Sequence, residues 1–333
     1  MALIANNLVN SVKFDNLPNE LADTISSTPE IMNMYLANGW GKIRSDFEVR
    51  EQDDRTPLLS MEVMDIMRVA SDDFDPSADA VKFGARLPTF NDIDIDLSLR
   101  RSDLINFYRT YLKNVIAFQS LDALISNPWP LFFAEQILEK AGRDLAYNST
   151  FRGVKNPAVK GSLTVMNGLI YKFAEGRGSG GDIPTENVKN IAAMTANDFD
   201  ADVYDQTNEL AQLTESNPDI SGRPMTVYMS APSYRKYKAT RREKSPNTIS
   251  LSEQPAQLDD FPHIKIKVEE GLGNKRFQFI SLPKNLFFVL NENYQNFNAK
   301  MIENVKGWEA NFMFSADVNY GVGKYLFMNN RTD

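Results

Sequence analysis

Few side chains in this 333-residue chain could carry covalent or metal chemistry. Cysteine is absent, which removes disulfides, thiolate zinc centres, iron–sulfur clusters and cysteine nucleophiles together. A Ser-His-Asp arrangement would have to use the one histidine, His263. It stands in Asp259-Asp-Phe-Pro-His-Ile-Lys-Ile-Lys-Val268, where period-two alternation starts at Ile264, so it reads as a strand edge. Asp92-Ile-Asp-Ile-Asp96 imitates the start of a calcium loop, with Asp103 at its twelfth position. The sixth position is Leu97, where that loop needs glycine, and the alternating isoleucines favour a two-faced strand. Gly176-Arg-Gly-Ser-Gly-Gly181 matches G-x-G-x-x-G in letters. Its lead-in has helical period and Pro184 follows, so no helix N-terminus is set for a pyrophosphate and a loop is the better reading. A calcium- or nucleotide-binding enzyme using Asp92, Asp94, Asp96 or the Gly176–Gly181 loop is the alternative these stretches leave open.

The one basic concentration is Tyr234-Arg-Lys-Tyr-Lys-Ala-Thr-Arg-Arg-Glu-Lys244, in a chain whose formal net charge is −8. Net negative charge repels nucleic acid, so any such contact must come from a local patch. Arg235, Lys236, Lys238, Arg241 and Arg242, interleaved with Tyr234 and Tyr237, are the candidates for contact with phosphates or with an assembly partner. The same run also fits a solvated helix, or one that pairs with acidic neighbours.

The elements that must position these residues are legible from period. Pro130–Tyr147 is the clearest helix: Phe133, Ile137, Ala141 and Leu145 recur every fourth residue, Ala134 and Leu138 widen the stripe, and prolines 128 and 130 set the entry. Residues 101–113 repeat the pattern through Leu104, Phe107, Tyr108, Tyr111 and Leu112. Gly161–Glu175 predicts a short apolar helix through Leu163, Met166, Leu169, Ile170 and Phe173, and Asn197–Glu215 predicts one amphipathic helix with acid at its start. Residues 45–100 alternate instead, around a turn-rich Ala70–Ala80, and read as an extended two-stranded excursion that a lone hairpin could not shield from water. Residues 1–44 hold scattered apolar clusters, and only Glu30–Leu36 has helical period, which suggests an arm that orders on another surface. From Ile264 onward the chain is strand-rich, with separate strands expected over Gly307–Phe314 and Val318–Phe327. No run reaches the roughly 18 apolar residues of a spanning helix, and the N-terminus lacks a basic start, so a soluble, cytoplasmically made protein is expected.

This order of parts resembles the major capsid proteins of tailed bacteriophages, with the Hong Kong 97-type fold. Phe83-Gly-Ala-Arg-Leu-Pro-Thr with the following Ile-Asp-Ile-Asp strand looks like the return limb of that family's extended loop. Pro130–Tyr147 resembles its spine helix, Asn167-Gly-Leu-Ile its short helix after the spine, and Val227-Tyr-Met-Ser-Ala-Pro-Ser-Tyr its axial strand-to-helix step. Pro283-Lys-Asn-Leu-Phe-Phe-Val resembles the strand that leads to the last part.

The resemblance implies an α+β chain with an N-terminal arm (1–44), an extended loop (45–100) and a peripheral domain (101–175) with its spine over 130–147. A mainly axial domain (176–282) and return strands (283–333) complete it. It implies a non-enzymatic coat protein without cofactor that self-assembles as hexamers and pentamers into an icosahedral shell around double-stranded DNA. Portal and scaffold proteins would be partners, no membrane would be involved, and the virion capsid would be assembled in the host cytoplasm. Glu139 and Arg143 would lie on the spine's assembly face. The covalent lysine–asparagine cross-link of one branch is not carried over, because nothing pairs Lys82. An encapsulin-type compartment is the alternative within the same architecture.

Overall fold

The computed structural model describes residues 29–39, 41–53, 56–63, 81–117, 129–191, 193–244, 255–291, 298–304 and 307–331. Most of the expected arm, the 70–80 turn with Met64 and Ile66, and Pro128 lie outside the described residues.

In chain order the elements are helix α1 (Pro29–Gly39), strands β1 (Phe47–Gln52), β2 (Leu58–Val63), β3 (Val81–Arg86) and β4 (Asn91–Arg100), then helices α2 (Arg101–Ala117) and α3 (Trp129–Asp144). Helix α4 (Leu169–Gly176), the short strand β5 (Val188–Lys189), helices α5 (Ala196–Ala201) and α6 (Val203–Glu215), strand β6 (Met225–Met229) and helix α7 (Ala231–Lys244) follow. The last part is β7 (Ile264–Val268), β8 (Phe279–Ser281), β9 (Leu286–Asn291), β10 (Asn298–Asn304), β11 (Gly307–Tyr320) and β12 (Leu326–Asn329). The chain divides into two compact units, one of residues 1–42, 90–146 and 290–316, the other of 43–89, 147–289 and 317–333.

In the first unit α3 is the organising helix. Its buried line runs through Phe133, Ala134 and Leu138, with Ile137 and Ala141 only half-buried, so the inward face is rotated from the stripe expected at Ile137. Phe107 and Tyr111 of α2 meet Phe132 at 5.8 and 5.3 Å between ring centroids. Helix α1 crosses α3 on backbone: a Cβ on Gly142 would lie 2.0 Å from the Leu36 carbonyl oxygen, and one on Gly39 2.2 Å from that of Glu139. Only glycine permits that approach. The α-helical part of the expected spine stops at Asp144, and Leu145–Ser149 continue as a π turn.

Strand β4 pairs antiparallel with β11, Ile93 opposite Phe314 and Ile95 opposite Phe312, and β10 flanks β11 through Ala299–Phe312 and Met301–Ala310. This corrects one expectation. The two-stranded pairing of the 45–100 region joins β2 to β3, Leu58 opposite Arg86 and Val63 opposite Val81, whereas the Asp-Ile strand belongs to another sheet. Phe314 and Val318 also lie on one 14-residue strand, β11, not two.

In the second unit a mixed sheet runs β5-β12-β8-β6-β7, parallel at β5–β12 and β6–β7 and antiparallel between. Strand alternation sends Met225, Val227 and Met229 to one face, where they pack with Phe199, Val203, Leu210, Tyr237 and Ile280. Tyr228 points to the other face and stacks on Phe279 at 4.6 Å, among Phe151, Phe173, Phe277 and Tyr320. Both faces are therefore covered. The single helix expected over Asn197–Glu215 is two, broken at Asp202, and Thr195 caps the first by accepting the Asp198 N–H at 3.2 Å. The helix expected from Gly161 begins only at Leu169, and Leu163 lies exposed on a 3₁₀ turn.

Candidate functional site

The base of β3 is fastened by two carboxylates of the second unit. Asp182 accepts from the Tyr320 hydroxyl and from Arg86 Nη2, both at 2.7 Å, and from the Gly323 N–H at 3.1 Å. The Arg86 guanidinium also lies 3.9 Å from the centroid of the Tyr320 ring, a cation–π contact that fixes its plane. Three residues on, the Thr89 N–H donates to Asp317 Oδ2 at 3.0 Å, and Lys172 Nζ stands 3.4 Å from Oδ1. Asp317 is fully buried, and burial raises its pKa despite the lysine. Asp46, just before β1, is held by Lys267 and Tyr228; burial raises its pKa too. Nearby Glu269, 1% exposed, accepts the Gly271 N–H at 3.0 Å, and burial pushes its carboxyl up to about 7.

Sequence reading missed these anchors. Asp317 even hid itself, because an acid between Phe314 and Val318 looks like a break in the strand. The signal was present in its counterpart: Lys172 inside the apolar run Leu169–Phe173 is a buried cation in search of an anion.

The basic helix divides along its length. Arg241 is buried and makes a two-pronged pair with Asp259, Nε–Oδ2 at 2.7 Å and Nη2–Oδ1 at 2.6 Å, which holds the Asp259 carboxyl below its usual range. Tyr237 is fully buried and flanked by Tyr204 and Tyr234, so it belongs to the core and is not a stacking platform. Lys244 pairs with Asp202 and Asp205, and Lys238 leans 5.1 Å from the Tyr234 ring centroid. Arg242 is half-buried. Arg235 and Lys236 are the two exposed basic residues of the candidate set.

On α3, Arg143 is exposed, but Glu139 is half-buried where α1 crosses. The Tyr35 hydroxyl has a raised pKa, first from burial and then from Glu135 and Glu139. The helix face expected to be open at Glu139 is thus partly occupied by the chain's own α1.

The remaining chemical candidates fall into structural roles. Asp92, Asp94 and Asp96 alternate along the exposed side of β4, with Asp92 accepting from Ser315 and Asp96 from Asn311 at 2.8 Å. Among the described residues no group of three or more His, Asp or Glu could hold a metal ion, and no helix is long and apolar enough to cross a membrane. In the glycine-rich stretch, a Cβ on Gly176 would lie 2.0 Å from the Tyr320 hydroxyl and one on Gly181 2.0 Å from the Gly176 carbonyl oxygen. These glycines permit close packing, and the chain after them runs into a 3₁₀ turn and β5. His263 lies in the turn just before β7, its Nε2 3.3 Å from Glu215 Oε1.

No family model matches the chain, and no curated protein matches it by sequence. Among solved structures it resembles a chain of the satellite phage P4 procapsid that includes the size determination protein, with a TM-score of 0.55 and 13% identity over 91% of this chain and 90% of that one. A chain from the capsid of the Myoviridae phage XM1 aligns at a TM-score of 0.48 and 9% identity, over 86% of this chain and 90% of the other. The first likeness establishes the fold: this is the mixed helix-and-sheet architecture of a phage procapsid chain, as the order of elements in the sequence implied.

Proposed function

We propose that this chain is a shell-forming major capsid protein of Hong Kong 97 type, which closes into an icosahedral container for double-stranded DNA. The observation that carries the reading is the fold it shares with the P4 procapsid chain over nine-tenths of both lengths. The anchors at the Arg86 end of the β2–β3 pair support it, because a two-stranded element held firmly at one end suits contact with a neighbouring copy. In this reading α3 with its π turn is the spine, the β5–β12 sheet with α6 and α7 is the axial part, and Arg235 and Lys236 meet a neighbour or the phosphates of packaged DNA. Hexamers and pentamers would be the building blocks, a scaffold and a portal protein the partners, and the virion capsid the destination after assembly in the host cytoplasm.

Negative-stain microscopy of the purified full-length chain, with nuclease digestion of its contents, tests this. Closed shells that protect double-stranded DNA support the capsid, shells that hold an enzyme instead support the encapsulin-type compartment, and no shells under any assembly condition contradict both.

A further inference from the structure

The loop that closes α4 makes a second kind of feature. A cavity of about 420 Å³ is lined by Ala174, Arg177, Gly178, Ile183, Thr185, Val188, Asn190 and Asn330, all of the second unit. Arg177 caps the C-terminus of α4 through its backbone N–H, which bonds to Phe173 O. Its guanidinium is half-buried and, among the described residues, has neither an ion-pair nor a hydrogen-bond partner. Burial pulls its pKa down, with no carboxylate opposing that. The other linings are neutral: Asn330 donates to Asn190 at 2.7 Å, and the exposed Thr185 hydroxyl stands 3.5 Å from Glu186 Oε2, which is not itself a lining residue. A partly dehydrated cation with five donors and no acceptor gains most from a planar oxyanion that it can grip with two parallel bonds.

We propose that the Arg177 cavity receives a carboxylate side chain from a second copy of this chain. Two observations favour this occupant over a phosphate of nucleic acid. The cavity supplies one positive charge, which matches one carboxylate, whereas a polyanion backbone calls for several cations in a row. The chain carries 44 acidic residues against 36 basic ones, so a second copy presents more carboxylates than its own cations can pair. The inference rests on the shell reading, since it requires copies to meet.

The test is assembly of the full-length chain, followed by light scattering and sedimentation, for wild type, Arg177→Gln and Thr185→Glu. The second variant adds a carboxylate to the cavity lining and gives up only the long, exposed 3.5 Å contact of the Thr185 hydroxyl with Glu186 Oε2. Both variants are expected to keep wild-type circular dichroism and to form particles about tenfold less readily, the scale of one lost charge-assisted contact. Particles from both variants at the wild-type rate and yield overturn the proposal. So does an unchanged particle yield with lost DNA retention, which assigns the cavity to phosphate. A wild-type chain that forms no particles overturns the shell reading itself, a result distinct from either of these.

Discussion

The two five-stranded sheets of this protein solve the same problem differently. In the second unit, β6 and β8 are buried on both sides, by the Met225–Val227–Met229 face against α6 and α7 and by the Tyr228–Phe279 face against an aromatic cluster. In the first unit, β4 buries Ile93 fully, Ile95, Leu97 and Leu99 only partly, and turns Asp92, Asp94 and Asp96 outward. Next to that acidic row, Ile302 of β10 is 51% exposed and borders a groove of about 320 Å³ with Asp96, Leu97, Ser98, Glu309, Ala310 and Asn311. One sheet is covered on both faces, and the other leaves one side of β4 in water.

Paired substitutions can break or sharpen this contrast. The largest effect is expected in the aromatic face: Phe279→Ala should cost roughly 3–5 kcal/mol by denaturant unfolding, whereas Ile302→Ala should stay within about 0.5 kcal/mol. Equal losses would contradict the contrast. Two carboxylates give the next comparison. Asp317→Ala leaves Lys172 buried without its anion and should cost about 3–5 kcal/mol, with much of that recovered in Asp317→Leu combined with Lys172→Met. Asp94→Asn on the open face should be nearly silent in the same assay.

Glu269 predicts a pH dependence of smaller size. Its folded pKa, about 7, lies above the ordinary carboxylate value, so the native state binds the proton more tightly than the unfolded chain. Its contribution to stability is present below the ordinary value and is lost as pH rises through about 7. The raised pKa values of Asp46 and Asp317 act in the same direction. Glu269→Gln should therefore flatten the stability profile between roughly pH 5 and 8 and leave the variant more stable than wild type at the upper end. A profile of unchanged slope would reject that assignment. The smallest contrast lies within α7: Arg241→Gln should destabilise by roughly 1–3 kcal/mol through Asp259, and Arg235→Gln by less than about 0.5 kcal/mol.

Period carried the sequence reading furthest where a face repeats. Helices α2 and α3 and the short helix in the arm were visible, because apolar spacing specifies them. Partners across the chain were not. Alternation makes β4 a strand but does not say that Phe312 and Phe314, more than two hundred residues on, complete it. The breaks at Asp202 and before Leu169 escaped notice because the apolar period runs through both. At the candidate surfaces, charge density marked α7 correctly as basic but could not show that Arg241 is held by Asp259 while Arg235 and Lys236 face solvent. Arg177 was read only as a letter in a glycine motif, since its lack of a carboxylate partner among the described residues is a property of three-dimensional surroundings.

A shell-forming chain must meet copies of itself. Sedimentation velocity on the purified full-length protein measures it directly. Rings of five or six 37.7 kDa chains and closed particles far larger are expected, and a single 37.7 kDa species at every concentration and in every assembly buffer would contradict a shell-forming role.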